Sequence, residues 1–265
     1  MYKLAVHHSW FKCDIYGKFR EAAKLGFQAL EILNVLDADL NRLRDVIGQT
    51  GVELPAIITR SADSQKQALM QKMIGIVNSD SHSLFLELML ETIETAKWLG
   101  TKNIVVTTGN EISGMSRAKQ KENIIKALKA AAPLVEGADI RIIVEPLNTI
   151  VNHKGYFLNT TPESVDIIRE VGSPNVLILY DIYHQQITEG NIINNITNNI
   201  RYIGHFHVAD VPGRKQPGTG ELNYRNIFNA IRVTGFDGYV AFECGITEDV
   251  ETVCKKMWAL QEPVT

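Results

Sequence analysis

Short runs of mainly apolar residues recur along the whole chain. They lie at residues 3–9, 29–33, 54–59, 103–109, 141–147, 176–184, 202–210 and 239–245. Several are rich in β-branched residues, as in the sequence RIIV at 141–144. Continuous apolar runs of this kind are typical of strands that are covered on both faces of a sheet. The pattern therefore predicts eight strands.

The segments between these runs have the apolar spacing of helices. The apolar positions are Leu128, Ala131, Ala132 and Val135 after the fourth run, and Val165, Ile168 and Val171 after the fifth. The second of these segments begins with Thr161 before Pro162 and stops at Gly172. These residues favour the two ends of a short helix.

Alternating strands and helices favour parallel pairing, because parallel neighbours need long connections that pack on the sheet. Eight repeats predict an α/β fold that closes into a single (β/α)8 barrel, the TIM barrel, with residues 1–265 as one domain. An open doubly wound sheet is the competing topology. It is expected to carry a glycine-rich phosphate-binding turn after an early strand, and the sequence has none.

Two connections are longer than a normal turn. Residues 60–83 carry Leu69, Met73 and Val77 four apart, which predicts an extra helix over the barrel mouth, with a surface insertion as the alternative. Residues 209–224 contain two prolines and three glycines, and they are interpreted either as an ordered functional loop or as a mobile one.

Composition narrows the class of protein. A hydrophobic share of 45%, a charged share of 22% and a net charge of −3 are ordinary for a globular protein and give no general attraction to nucleic acid or anionic lipid. The chain shows no membrane-spanning run and no apolar signal segment, so we expect a cytoplasmic protein without a membrane partner. The three cysteines have no Cys-x-x-Cys spacing, which favours free thiols.

Four chemically active side chains stand at the ends of the last four predicted strands. They are Glu145, Asp181, His207 and Glu243. The carboxyl ends of barrel strands meet at one mouth, so these side chains are expected to converge there. Three carboxylates would repel one another unless a cation neutralised them. Three oxygen donors and one imidazole suit Mg²⁺ or Mn²⁺ better than a structural zinc, and the pattern predicts one divalent ion.

Neighbouring residues leave alternatives open. His205 and His207 point to the same side by alternation, and His207 is favoured because it lies nearer the strand end. His184, three residues after Asp181, either faces the substrate across the start of a loop or lies outside the site. Glu31 ends the second strand and either orients a site residue or bonds backbone amides, with the second role favoured.

The chain resembles the hydroxypyruvate isomerase family in the segments VEPLN, HKGYFL, YDIYHQQITEGN, GHFHVADVPGR, PGTGELNY and FECG. That family belongs to the xylose isomerase-like barrels, which also include ketose 3-epimerases. The resemblance implies one divalent metal on Glu145, Asp181, His207 and Glu243, with Glu145 and Glu243 also acting as acid and base. It further implies that His184 and Arg214 contact the substrate. Two departures, Asn152 and the segment HHSWFK, bear on substrate identity.

The predicted reaction is the interconversion of hydroxypyruvate and tartronate semialdehyde through an enediolate. Arg214, beyond a Pro-Gly turn, would grip the substrate carboxylate, unless it pairs with Glu221 to hold the loop. The alternatives are a sugar or sugar-acid isomerase or 3-epimerase with a larger substrate, and a non-catalytic binding protein. Seven histidines and a net charge of −3 argue against a nuclease of the related barrels. A small molecule is thus the expected partner, and homo-oligomerisation is left open.

Overall fold

Parallel strands and helices alternate through the protein, as the apolar pattern predicts. The computed structural model describes residues 1–262, so the last three residues of the predicted 1–265 domain lie outside the described part. The strands are β1 Lys3–His7, β2 Ala29–Glu31, β3 Ala56–Ile58, β4 Asn103–Val106, β5 Arg141–Val144, β6 Val176–Asp181, β7 Ile203–His207 and β8 Tyr239–Phe242. The helices are α1 Ile15–Lys24, α2 Leu40–Thr50, α3 Ser64–Lys72, α4 His82–Leu99, α5 Arg117–Glu136, α6 Thr161–Val171, α7 Ile182–Thr188, α8 Ile192–Asn199, α9 Tyr224–Val233 and α10 Val250–Leu260.

The eight strands form one nearly closed barrel. Their spatial order is β2-β1-β8-β7-β6-β5-β4-β3, with every paired neighbour parallel. Main-chain hydrogen bonds across the remaining gap join Leu30 N to Glu53 O at 2.9 Å and Ile58 N to Leu33 O at 2.8 Å. The predicted TIM-barrel fold is confirmed, and the open sheet is excluded because its two edge strands meet.

Alternation along each strand divides the apolar residues between two layers. One buried cluster contains Ala56, Val105, Ile143 and Leu179, which come from four neighbouring strands. Ile142 and Val144 belong instead to the larger cluster, which includes many helix residues. A strand covered on both faces needs consecutive apolar residues, which accounts for the run that precedes Glu145.

The predicted strand at 176–184 is too long. Strand β6 ends at Asp181 and helix α7 begins at the next residue. The Asp181 carboxylate accepts hydrogen bonds from the backbone N–H groups of Tyr183 at 2.8 Å and His184 at 3.3 Å, so it caps the helix. His184 therefore lies in the first turn of a helix and not at the start of a loop.

The extra helix predicted within residues 60–83 is present as α3, but it is shorter than its apolar spacing indicates. Leu69 is 44% exposed, and the helix ends before Met73. Ile74 and Gly75 have φ angles of 70° and 92°, which a right-handed helix cannot continue. Together with the ends of β3 and β4, α3 lines a cavity of about 410 Å³. This position agrees with the predicted place at the barrel mouth.

The short helix predicted after the fifth apolar run is confirmed. Helix α6 ends at Gly172, which has a φ of 74°. Helix α8 buries Ile192 and Ile196, whereas Ile193 is 41% exposed. Within residues 1–262, none of the helices combines the length and apolarity that crossing a membrane requires.

The close contact between the loop after β4 and the turn after α3 depends on Gly109. Its φ is +99°, and a Cβ there would overlap the backbone carbonyl oxygen of Ile74. Gly114 has a φ of +83° but nothing within 4 Å of its Cβ position.

We expect Gly114→Ala to destabilise the fold by about 1 kcal/mol through backbone strain alone. Gly109→Ala should destabilise the fold by roughly 2 kcal/mol more than Gly114→Ala, because its Cβ would also overlap the carbonyl oxygen of Ile74. Urea unfolding of both variants measures the difference, and equal losses would show that the contact is unimportant.

Candidate active site

Four side chains from β5 to β8 meet at the carboxyl end of the barrel. One donor atom from each of Glu145, Asp181, His207 and Glu243 lies within 4.8 Å of the others. The Nδ1 atom of His207 is 3.0 Å from Oε2 of Glu243 and 3.6 Å from Oε1 of Glu145. The structure therefore brings together all four residues that the strand ends predict.

Barrel register produces this convergence. Asp181 pairs directly with His207 across β6 and β7. Glu145 follows the last residue of β5, and its backbone N–H donates to the carbonyl oxygen of Val106 on β4 at 3.2 Å. Glu243 directly follows Phe242, the last residue of β8. Each residue therefore leaves the sheet at the same level, which puts like charges close together.

Glu145 and Glu243 have shifted pKa values, and the two shifts are in opposite directions. Burial raises the pKa of Glu145 to about 7, and the charges of Glu243 and Asp181 add to the rise. Burial acts in the same direction on Glu243, but the charges of His207 and Arg214 outweigh it and hold the pKa of Glu243 at about 2. Burial opposes the charged form of His207, yet the carboxylates of Glu31 and Glu243 raise its pKa well above the ordinary value. The cluster therefore attracts positive charge.

Glu31 orients the imidazole of His207. Its Oε2 atom lies 3.0 Å from Nε2 of His207, and its Oε1 atom lies 2.9 Å from Nε2 of His205. All three residues are fully buried. The expectation that Glu31 bonds backbone amides is wrong, because both of its oxygens face histidine rings. This contact leaves Nδ1 of His207 facing the other carboxylates.

Arg214 lies over the cluster. Its Nη2 atom is 2.6 Å from Oε2 of Glu243 and 3.2 Å from Oδ2 of Asp181. The alternative pairing with Glu221 is not found, since Glu221 accepts instead from the side chain of Gln186 at 3.2 Å. The Nε atom of Arg214 is buried without a hydrogen-bond partner among residues 1–262. Only Nη2 contacts these carboxylates, so the other N–H groups of the guanidinium remain available to a bound molecule.

Asp210 orders the loop that carries Arg214. Its carboxylate accepts from the backbone N–H groups of Val211 at 2.9 Å, Gly218 at 2.8 Å, Thr219 at 3.1 Å, Gly220 at 2.9 Å and Leu222 at 3.1 Å. Arg214 itself has a φ of 54°, a left-handed conformation that is uncommon outside glycine. Its backbone is held at both ends, by the carbonyl oxygen of Asp210 at 3.1 Å and the N–H of Gly245 at 3.0 Å. The loop is therefore ordered.

Asn148 determines which nitrogen of His184 carries the proton. The side-chain oxygen of Asn148 accepts from the backbone N–H groups of Val151 and Asn152. Its NH₂ group is thereby turned toward Nδ1 of His184, at 2.6 Å, which must accept. Burial lowers the pKa of His184, so the ring is neutral with its proton on Nε2. That nitrogen has no hydrogen-bond partner within the described residues, and it lies 3.4 Å from Asp181 Oδ2.

Sequence reasoning did not find Asp210 or Asn148. Asp210 could have been noticed as an aspartate that follows β7 and precedes a glycine-rich loop, since such residues often accept from turn amides. Asn148 offered no comparable signal, because its role depends on His184, which is distant in the sequence.

The protein is a TIM barrel with a buried cluster of acids and a histidine that forms a candidate metal centre. Residues 19–256 match the family model described as the xylose isomerase-like TIM barrel, and the chain belongs to that family. Its relatives identify the kind of enzyme. Hydroxypyruvate isomerase of Escherichia coli (strain K12) is 30% identical over 87% of this chain and 87% of that protein. The resemblance to the hydroxypyruvate isomerase family is thereby confirmed, and the chain is an isomerase.

Two further similarities bear on the range of substrates. The 2-oxo-tetronate isomerase of Cupriavidus necator is 29% identical over 85% of each chain. A crystal structure described as AP endonuclease, family 2, from Brucella melitensis superposes with a TM-score of 0.88 and 25% identity, covering 99% of this chain and 100% of that one. That description belongs to the Brucella protein, and the sequence relatives with isomerase names set the class here.

The dependence of the Arg214 loop on Asp210 can be tested by proteolysis. Asp210→Ala removes the acceptor of five backbone N–H groups, so the loop should open and expose the bonds after Arg214 and Lys215 to trypsin. We expect cleavage there to become at least about tenfold faster than in the wild-type protein. Asp237→Ala, at an exposed aspartate, should leave the rate unchanged. Equal protection in the Asp210 variant would contradict the role of the carboxylate.

Proposed function

We propose that the chain interconverts hydroxypyruvate and tartronate semialdehyde in a metal-dependent reaction. The observation that carries the proposal is the convergence of Glu145, Asp181, His207 and Glu243 within 4.8 Å at the barrel mouth. The similarity to a hydroxypyruvate isomerase over 87% of both chains supports this choice of substrate. The product and the substrate differ only in which of two neighbouring carbons carries the carbonyl group.

The four residues fit a hard divalent cation. Their donors are carboxylate oxygens and a single imidazole nitrogen, and the Nδ1 atom of His207 faces Glu243 at 3.0 Å and Glu145 at 3.6 Å. A carboxylate on the far side of a ligating histidine is a usual second contact, and Glu31 occupies that place. Mg²⁺ or Mn²⁺ is the proposed ion. When bound, it would supply positive charge beside the developing enediolate.

His184 and Arg214 are the residues that we propose to hold the substrate oxygens. The Nε2–H group of His184 can donate to one of them, because its other nitrogen is already an acceptor for Asn148. The free Nε–H of Arg214 can donate to a second one. Two donors that are fixed before the substrate arrives reduce the entropy that must be lost in orienting it.

Glu145 and Glu243 are the proposed acid and base. One carboxylate removes a proton from carbon 3 of hydroxypyruvate, which gives the enediolate, and a proton is then delivered to carbon 2. The hydroxyl proton on the oxygen of carbon 3 moves to the oxygen of carbon 2, so the atoms balance. Each side chain has two oxygens, and one can therefore bind a cation while the other transfers a proton.

A larger substrate is the second candidate. The similarity to a 2-oxo-tetronate isomerase favours it, because that substrate has one carbon more. The cavity of about 410 Å³ at the ends of β3 and β4 gives such a substrate room. The same four residues and the same proton transfer would serve a sugar-acid isomerase, a sugar isomerase or a 3-epimerase. Turnover of three-carbon and four-carbon acids under equal conditions distinguishes these candidates.

Metal content tests the proposed ligands. Wild-type protein equilibrated with Mn²⁺ and then passed through a desalting column should retain about one ion per chain. Asp181→Ala and His207→Ala should retain far less, because each loses a donor. Asp37→Ala, at an exposed position, serves as the control. Full retention in both site variants would remove the assignment.

Glutamine replacements test the proton transfer. Glu145→Gln and Glu243→Gln keep the shape and one oxygen donor but lose the base, so kcat should fall on the order of a hundredfold while KM changes little. Turnover by the wild-type enzyme in heavy water should also place deuterium on carbon in the product. Normal kcat in both glutamine variants would contradict the acid and base roles.

A further inference from the structure

A second feature of the barrel mouth is the cavity between α3 and the ends of β3 and β4. Its volume is about 410 Å³, a size that suits a small ligand. Its inner wall includes Ile58 and Val106, the last residues of those two strands. Gln67 and Gln71 of α3 contribute on the opposite side. The cavity thus opens at the same end of the barrel as the acid cluster.

The cavity is joined to the acid cluster by hydrogen bonds. Val106 lines the cavity, and its carbonyl oxygen accepts from the backbone N–H of Glu145 at 3.2 Å. The hydroxyl of Tyr156 donates to the backbone carbonyl of Glu145 at 3.0 Å and accepts from the N–H of Thr108 at 2.7 Å. Neighbouring strands lie about 4.8 Å apart, so the cavity wall is one strand away from Glu145.

Arg60 is the only charged residue that lines this cavity in the described chain. Lys66 nearby is paired with Glu91 at 2.7 Å, whereas Arg60 has no carboxylate oxygen within 4.0 Å among residues 1–262. The other polar groups on the lining are neutral, and they include Gln71, Thr107 and Asn110. One cation with several neutral donors and acceptors matches a molecule that has one negative charge and several hydroxyl groups.

Arg214 is less suited to that negative charge than Arg60. Its Nη2 atom already contacts two carboxylates, Asp181 at 3.2 Å and Glu243 at 2.6 Å. These contacts offset its charge and use part of the planar fork that would grip a carboxylate. The guanidinium of Arg60 has no such acidic partner. An acidic substrate therefore finds an unneutralised cation at the β3 and β4 side of the mouth.

We propose that Arg60 and this cavity bind the carboxylate end of an open-chain hydroxy-keto acid whose reacting carbons lie at the acid cluster. The inference rests on the proposed function, since it assumes that the substrate reacts beside Glu145. It makes Arg60 the residue that selects acids over neutral ketoses.

Binding of unreactive ligands tests the site without relying on turnover. D-erythronate and erythritol each have four carbons, lack a ketone or aldehyde group, and differ by a carboxylate in place of a hydroxymethyl group. In calorimetric titration of the Mn²⁺-loaded protein, erythronate should bind more tightly than erythritol. Arg60→Gln should weaken erythronate binding about tenfold or more and leave erythritol binding unchanged. The affinity of Arg60→Lys for erythronate should lie between those of the wild-type protein and Arg60→Gln, because lysine keeps the positive charge but cannot form two parallel hydrogen bonds to a carboxylate.

A matched control lies at the opposite end of the barrel. Arg141, Arg169 and Arg201 line a separate cavity there, so Arg201→Gln removes a cation from another open site. Erythronate binding should survive this change. Unchanged erythronate affinity in Arg60→Gln, loss in Arg201→Gln, or no binding of erythronate by wild type would overturn the proposal.

Kinetics separate this inference from the proposed function. If hydroxypyruvate and 2-oxo-tetronate are turned over, Arg60→Gln should raise their KM about tenfold or more with a smaller change in kcat. If neither acid is turned over but erythronate binding depends on Arg60, the proposed reaction is wrong and the carboxylate site stands. If both acids react equally well in the variant, the reaction stands and the site is wrong.

Discussion

The close approach of buried carboxylates at one end of the barrel is the constraint on which the rest of the site depends. Glu145, Asp181 and Glu243 share this mouth. Burial raises the pKa of Glu145 and acts in the same direction on the pKa of Glu243. Arg214 and the imidazole of His207 supply the nearest positive charge. The clustered carboxylates thus require compensating positive charge, which Arg214 and His207 supply in this structure.

Positioning of those cations depends on a second set of buried acids. Glu31 holds the His207 ring from below, and Asp210 folds the loop that places Arg214 above it. Both are fully buried. A charge that must be in the right place within a few tenths of an ångström needs such support, because an arginine or a histidine on a free loop would sample many positions.

Features that depend on one strand could be predicted from the sequence, and features that depend on contacts between distant segments could not. A residue that ends an apolar run points to the mouth wherever its strand lies, which is why Glu145 and Glu243 were found. The partners of Glu31 lie on β7, far along the chain, so periodicity gives no information about them. The apolar pattern continues across Asp181 and therefore predicts a strand at the start of α7. The hydrogen bonds that cap the helix distinguish helix from strand here, and the sequence pattern does not reveal them.

The proposed function divides the barrel mouth between a reacting side and a substrate-selecting side. Strands β5 to β8 contribute the four clustered donors, while β3, β4 and α3 enclose a cavity with one cation and neutral polar groups. The turn at Ile74 and Gly75 stops α3 short, and the close packing of Gly109 under that turn fixes the cavity wall. Under the proposed function, changes in the sequence of α3 can therefore alter which acids fit while Glu145 and Glu243 stay in place, because no hydrogen bond or ion pair in the described chain links α3 directly to either glutamate.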